Sequence, residues 1–524
     1  MKRNKTSNKA KVKKTGSAPR KSQGPKRKDP TINTDIKKAK VKKKAKSSLS
    51  ENKLNDNRTG KVDKVDSGIN IRQVDDSKEI INIAYIIIGL FILVICYYAY
   101  FMVTKSEDII NNSYNKRQDL LSEQIVRGDI LSADGKTLAH TLVRDDGSEV
   151  RVYPYGDLFA HAVGRFSKGR TGIESSENFR LLTSNTYGLK KIFMDLTGQK
   201  NLGDNVVTTL NYDLQKVAYD SLGKNKGAII VTEPSSGKIL AMVSKPTYDP
   251  NNIDNIWEDI RDDNTNKPLM NRATSEAYPP GSIFKIVTVL EYIRQNQDYE
   301  NFTYDCDGTY SGPNGKITCG RAHGKVDLKK TIALSCNCAM GYIGQSLDPI
   351  KFKATIESLN LATYLPSNLD YNHVHTVIGQ ENVKVSPIAM AEFISALANG
   401  GVGMELYFTD YISNSDGKVI KKFTPEIKTK NIEASEARVL TDYMAEVVSS
   451  GTATSLQSDK YTAAGKTGTA QNQVGSKAHS WFIGFANTDK AEIAVTIILE
   501  NAGSSSKNAV PIAKEIFNTY FNNK

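Results

Sequence analysis

The sequence predicts an α+β fold, an antiparallel sheet flanked by helices, preceded by a β-rich pedestal and a single transmembrane helix. Three observations carry this. Apolar, β-branched runs at residues 228–232 and 239–243 form one hairpin, and those at 481–485 and 491–499 form another. The segment from Leu290 to Leu440 between them reads as mostly helical, so strands from both ends would share one sheet. Ahead of them, residues 80–103 form a stretch of 24 residues without a charge. The expected division is a basic tail over 1–79, a membrane span over 80–103, a pedestal over 104–215 and a main domain over 216–524.

The net charge of +13 belongs to the tail. Residues 1–79 hold 25 Lys and Arg against 9 Asp and Glu, leaving 45 against 48 for the remainder. With no aromatic side chain, the tail cannot bury enough apolar surface to offset its ordering entropy, and it reads as disordered. Its lysine blocks suit nucleic acid or an anionic membrane surface alike. A solvated arm that fixes topology is the simpler reading, and nucleic acid is not expected as a partner.

A helix over residues 80–103 reaches ~36 Å, enough for a hydrocarbon core of ~30 Å. Tyr97, Tyr98, Tyr100 and Phe101 gather near its far end as an interfacial belt does. The long tail before it, and Tyr-Phe-Met-Val where small residues should stand, argue against a cleaved signal. The preceding flank is basic, whereas Lys105 is offset by Glu107 and Asp108. The chain is therefore expected to cross the cell membrane once, with its N-terminus cytoplasmic and everything after Thr104 outside. An extracytoplasmic body disfavours ATP-dependent chemistry.

In the pedestal, Arg127-Gly-Asp-Ile leads into a short strand at Ile130 and Leu131, with a turn at Asp134-Gly135 and a return at Thr137-Leu138. No catalytic spacing occurs there. It does occur at Tyr278-Pro-Pro-Gly-Ser-Ile-Phe-Lys-Ile-Val287. Gly281 supplies a turn, and the apolar run behind Ser282 predicts a helix opening at that serine. Positions three apart are neighbours on a helix, which brings the Lys285 amine beside the Ser282 hydroxyl. An amine so placed can take the proton that makes a hydroxyl nucleophilic. Ser-x-x-Lys also begins at Ser50, Ser113, Ser221, Ser235, Ser415 and Ser504, but in polar or turn-like surroundings.

Two further groups follow. Ser335-Cys-Asn337 comes after a helical stretch, and a hydroxyl and an amide two apart can relay a proton and hold a carbonyl. Lys466-Thr-Gly-Thr469 reads as an edge strand where Gly468 admits a substrate backbone. Lys466, Thr467 and Thr469 would bind a carboxylate there. A second Lys-Thr-Gly, at Lys14, lies in the tail with no strand after it.

In this order, Ser-x-x-Lys, Ser-x-Asn and Lys-Thr-Gly resemble the signature of penicillin-binding proteins and active-site serine β-lactamases. The flanks Asn271-Arg-Ala273, Ile378-Gly-Gln380, Ala398-Asn-Gly400, Gly451-Thr-Ala453 and His479-Ser-Trp-Phe-Ile-Gly484 narrow the resemblance to a class B penicillin-binding protein. That resemblance implies a penicillin-binding/transpeptidase (serine β-lactamase-like) domain. It also implies a membrane-anchored D,D-transpeptidase that cross-links peptidoglycan stem peptides ending in D-Ala-D-Ala and is acylated by β-lactams. No cofactor is implied. The implied partner is a polytopic glycan polymerase of the shape, elongation, division and sporulation family. Alternatives are a D,D-carboxypeptidase, a β-lactam hydrolase or sensor, and a scaffold for the polymerase.

By resemblance, Ser282 is the nucleophile and Lys285 its base. Ser335 and Asn337 are the relay and amide-binding positions, and Lys466, Thr467 and Thr469 the carboxylate-binding strand. The backbone N–H groups of Ser282 and Thr469 would form the oxyanion hole. A free lysine titrates near ~10.4, so Lys285 needs burial or the Lys466 cation to become a base. Cys306 and Cys319 resemble a pair some relatives carry, either bridged or as two thiols. Cys-x-Cys within the second motif is poor zinc spacing, so no metal is expected, and Cys336 and Cys338 read as buried thiols. His323 and His479 read as loop-holding residues and Glu357 as an exposed helix residue.

Overall fold

The computed structural model describes residues 76–104, 117–186, 188–361, 370–380, 383–471 and 476–524. The expected tail lies outside the described residues as far as residue 75. The chain divides into two units, Met1–Asn82 and Ile83–Lys524. Of the first, only the start of a helix is described.

That helix, Asp76–Thr104, is 29 residues long and takes in the last four residues assigned to the tail. Its segment Ile80–Met102 is long and apolar enough to cross a membrane, and none of it is buried. No other helix among the described residues meets that length and composition.

The main sheet has five antiparallel strands in the order Ala463–Ala470, His479–Ala486, Ile493–Leu499, Gly227–Glu233 and Lys238–Lys245. The expectation that both ends of the domain share one sheet is borne out, with Ile497 opposite Ile229. Every residue of His479–Ala486 and Ile493–Leu499 is buried. A strand covered on both faces has no polar side to alternate with, which is why these runs read as continuously apolar. The helix Pro387–Ala398 lies on the three inner strands, and Ser505–Asn522 packs on His479–Ala486 and on Tyr212–Leu222. Ala463–Ala470 is left at the edge.

A second sheet has six strands in the order Val419–Lys422, Thr409–Ser413, Asn205–Thr208, Ile130–Leu131, Thr137–Val143 and Glu149–Val152. Ile412 stands opposite Val206, so a hairpin from far along the chain completes the pedestal sheet. Beneath it lies a buried ion cluster. Arg127 and Arg151 each reach one oxygen of Glu174 through Nε at 2.7 Å, and Glu174 is fully buried. The Arg127-Gly-Asp motif thus ties the pedestal together.

The expectation of a mostly helical stretch from Leu290 to Leu440 fails at 403–429, which holds four short strands, and at 303–327. There Thr303–Cys306 pairs with Gly324–Asp327, and Thr309–Gly312 pairs with Gly315–Thr318. Four-residue strands with polar outer faces show too little alternation for the period to be recognised.

Candidate active site

Ser282 lies on a 3-10 turn, Gly281–Phe284, that runs directly into the helix Lys285–Gln295. The predicted helix therefore starts one turn later than the serine. Gly281 has φ +56°, and a Cβ there would stand 2.9 Å from the Thr469 carbonyl oxygen. Only glycine allows the turn to approach the edge strand this closely. The turn is pinned from several sides. Gly281 N–H donates to the Gly379 carbonyl at 2.8 Å, and Trp481 Nε1 to the Pro279 carbonyl at 2.9 Å. Tyr278 donates to Glu500 at 2.8 Å, and Glu500 also holds Arg272 at 2.7 Å. Ile283, Phe284, Ile286 and Val287 are fully buried behind it, while Ser282 stays partly exposed.

Two lysines converge on the second motif, and both are 0 % exposed. Lys285 Nζ donates to the Ser335 carbonyl at 2.7 Å, to Ser335 Oγ at 3.2 Å and to Asn337 Oδ1 at 2.7 Å. Lys466 Nζ donates to Ser335 Oγ and to the Thr467 carbonyl, each at 3.0 Å. Ser335 Oγ thus accepts from both ammonium groups and keeps its own proton free to donate. Lys285 makes no hydrogen bond to Ser282: among the described residues the amine bonds Ser335 and Asn337. A buried ammonium has three hydrogens to satisfy, and three oxygens around it do so.

Burial holds Lys285 down to about 8, against an upward pull from Cys336, Cys319 and Cys338. Burial and then the Lys285 charge hold Lys466 well below the ordinary lysine range. Of the two routes expected to lower Lys285, burial is the one that operates.

Ser335 sits between the helices Leu328–Ala333 and Asn337–Ser346 at φ +56°, a conformation that a residue with a Cβ adopts only when its surroundings impose it. Asn337 Nδ2 donates to the Thr318 carbonyl at 3.0 Å, and Asn337 N–H to Cys319 Sγ at 3.2 Å. The second motif therefore rests on the hairpins at 303–327. Asn337, Thr318, Ile378 and Gln380 line a cleft of about 1030 Å³.

On the edge strand only Thr469 is exposed. Thr467 Oγ1 lies 2.6 Å from Thr452 Oγ1, and Thr469 Oγ1 lies 3.3 Å from Ser505 Oγ. Gln380 Nε2 donates to the Thr469 carbonyl at 3.4 Å. Thr452 and Gln380 lie within flanks noted in the sequence, but nothing local tied them to the strand, and Ser505 carried no signal. Gly468 has a packing reason besides the expected one. A Cβ there would lie 2.9 Å from both Ile283 Cγ2 and the Pro280 carbonyl oxygen, so the Ser282 turn itself requires the glycine.

The remaining residues sort themselves. Cys306 and Cys319 are thiols with Sγ atoms 3.8 Å apart, well beyond a bond of ~2.05 Å, so the bridged alternative is not formed. Cys336 and Cys338 are buried and free, as read. His479 Nδ1 accepts from Asn501 N–H at 3.0 Å and packs edge-on against Tyr278, holding loops as expected. Glu357 is an exposed helix residue, 3.7 Å from Lys353.

A serine turn against an edge strand, with two buried lysines meeting at a second serine, is the architecture of a serine acyl-transfer enzyme. The chain belongs to the penicillin-binding protein transpeptidase family: the model described as "Penicillin binding protein transpeptidase domain" matches residues 227–518. The model described as "Penicillin binding protein A dimerisation domain" matches residues 127–206. The chain is 31 % identical over 428 residues to the peptidoglycan D,D-transpeptidase PbpA of Mycolicibacterium smegmatis, covering 73 % of this chain and 86 % of that one. It is 26 % identical over 455 residues to the peptidoglycan D,D-transpeptidase MrdA of Haemophilus influenzae, covering 74 % and 69 %. The imipenem acyl-enzyme complex of penicillin-binding protein A from M. tuberculosis matches with a TM-score of 0.70 at 27 % identity, over 76 % of this chain and 99 % of that one.

Proposed function

We propose a residue-level mechanism for this peptidoglycan D,D-transpeptidase, in which Ser282 is the nucleophile. Its Oγ attacks the carbonyl carbon of the penultimate D-Ala of a stem peptide, and its proton passes to neutral Lys285. The tetrahedral intermediate collapses with cleavage of the D-Ala–D-Ala amide. The leaving amine takes a proton from the Ser335 hydroxyl, which Lys285 or Lys466 re-protonates. An amine of a second stem peptide then attacks the acyl-enzyme, forming the cross-link and restoring Ser282. A β-lactam follows the first half: its ring amide opens on Ser282 and the acyl group stays.

The observation that carries this reading is Ser335 Oγ held between Lys285 and Lys466. The other roles follow from position. Asn337 would orient the substrate amide, Lys466, Thr467 and Thr469 its terminal carboxylate, and the N–H groups of Ser282 and Thr469 the oxyanion. We assign residues 104–215 to the pedestal and 216–524 to the transpeptidase domain. The apolar helix would anchor the chain with residues 1–79 cytoplasmic and the catalytic domain outside, where a polytopic glycan polymerase is the partner that supplies strands to cross-link.

The test is labelled penicillin with the full chain in detergent, followed by intact mass and peptide mapping. One adduct on the peptide carrying Ser282, lost in Ser282→Ala, supports the assignment. An adduct elsewhere, or one that survives Ser282→Ala, rejects it.

A further inference from the structure

We propose that the cleft beside Asn337 is a subsite for a side-chain carboxylate of the donor stem peptide, held by Lys316 and Lys384 with His375 beside them. This rests on the acyl-transfer reading above and adds the class of donor: one whose residue before the D-Ala pair carries a free carboxylate. The cleft of about 1030 Å³ is lined by these three basic side chains and, among the described residues, by no Asp or Glu. The body beyond the tail holds 45 Lys and Arg against 48 Asp and Glu, so a wall of one sign departs from its surroundings. Lys316 and Lys384 are exposed, and among the described residues neither lies within salt-bridge distance of a carboxylate.

Each basic residue is carried by backbone that is tied to a motif. Lys316 lies on the strand Gly315–Thr318, two residues before Thr318, whose carbonyl accepts from Asn337 Nδ2 at 3.0 Å. Residues two apart on a strand face the same side, and Lys316 and Thr318 are exposed around a buried Ile317. Lys384 stands between the buried Val383 and Val385. Val385 exchanges two backbone hydrogen bonds with Tyr278, each at 2.9 Å, four residues before Ser282. The His375 carbonyl accepts from Gln380 N–H at 2.8 Å, and the Gln380 side chain reaches the Thr469 carbonyl. The serine turn, the second motif and the edge strand thus each hold one basic residue of the wall.

The roles assigned above set the direction in which the donor lies. Its terminal carboxylate belongs at Lys466, Thr467 and Thr469, and the amide preceding the penultimate D-Ala belongs at Asn337. The next group along the donor, moving away from the edge strand, is the side chain of the residue before the D-Ala pair. The cleft past Asn337 receives it. A carboxylate there meets two ammonium groups in a half-open space, where charge complementarity selects more than it tightens. A carboxamide of the same shape fills the space without that attraction.

The experiment uses the full chain in detergent and two synthetic donor peptides ending in D-Ala-D-Ala. They differ only in a carboxylate or a carboxamide at the end of the side chain before the D-Ala pair. Initial rates of D-Ala release at low peptide concentration give kcat/KM for each, normalised to the sites counted with labelled penicillin. Where turnover is too slow to follow, protection of Ser282 from labelled penicillin by each peptide gives the same comparison. The carboxylate peptide is expected to be favoured ~3–10-fold at about 50 mM salt, with the ratio shrinking toward one at about 500 mM. Lys316→Gln combined with Lys384→Gln should bring the ratio near one at either salt, whereas Lys384→Arg in the wild-type background should keep it. A merely structural role for the lysines would slow both peptides alike and leave the ratio standing. Equal handling of the two peptides by the wild-type chain, or a ratio unchanged in the double variant, overturns the subsite. A chain that takes penicillin on Ser282 yet shows no carboxylate preference loses the subsite alone, and one that takes no penicillin there loses the acyl-transfer reading as well.

Discussion

Lys466 Nζ donates to Ser335 Oγ at 3.0 Å, across 131 positions of sequence, from the edge strand of the main sheet to the turn between two helices. This bond joins the third motif to the second, and Lys285 joins the first to the same oxygen. A hydroxyl that accepts twice keeps its own proton free to donate. Ser335→Gly removes the hydroxyl and relieves the positive φ, but takes one acceptor from each of Lys285 and Lys466, so the melting midpoint is measured beside the rate. Acylation by labelled penicillin should slow by ~10²–10⁴. A parental acylation rate in Ser335→Gly would remove the relay from the mechanism.

Lys285 gives the pH dependence its sign. The amine must be neutral to accept the serine proton, and burial lowers it to about 8. The second-order acylation rate should therefore rise about tenfold per pH unit below that value and level off above it. Lys285→Arg keeps a charge at every accessible pH and should be inactive throughout. Stopped-flow acylation across the range checks both, and a flat profile from acid to neutral pH would exclude Lys285 as the base.

Gly468→Ala tests whether the edge strand and the serine turn depend on each other. The added methyl meets Ile283 Cγ2 and the Pro280 carbonyl oxygen at 2.9 Å, so the turn or the strand must give way. A loss of ~1–3 kcal/mol is expected in denaturant melts, together with slower acylation. Retention of both the parental midpoint and the parental rate would show that the strand can move without cost.

Glu174 tests the pedestal separately. Its carboxylate is fully buried and neutralises Arg127 and Arg151, each 5 % exposed. Glu174→Ala leaves two buried cations facing each other and should cost ~3–5 kcal/mol. The cluster packs against the second sheet, away from the main one, so below the lowered melting temperature the acylation rate of folded protein should stay within about twofold. A large rate loss without a fall in melting temperature would contradict the assignment of these residues to scaffolding.

The chemistry was legible because each motif is local. Ser282 with Lys285, Ser335 with Asn337, and Lys466 with Thr467 are pairs whose proposed roles depend on short spacing along the chain. The strands of the main sheet were legible because burial on both faces leaves an unbroken apolar run. What stayed hidden depends on partners distant in sequence. Lys285 bonds Ser335 and Asn337 rather than Ser282, because the acceptors that satisfy a buried ammonium belong to another element. The packing reason for Gly468 stayed hidden because the residues it touches, Ile283 and Pro280, lie far upstream. The strands at 303–327 were missed because half of each faces water.

The pairing of Ile412 with Val206 has a consequence for how the molecule is made. Chains emerge N-terminus first, so Asn205–Thr208 is ready long before Thr409–Ser413, roughly two hundred residues later. In that interval a row of backbone donors and acceptors stands open, an invitation to pair with a neighbouring nascent copy. Any product that stops short of residue 409 keeps that open border for good. Such fragments should aggregate or be degraded, which couples survival of the stalk to completion of the catalytic half.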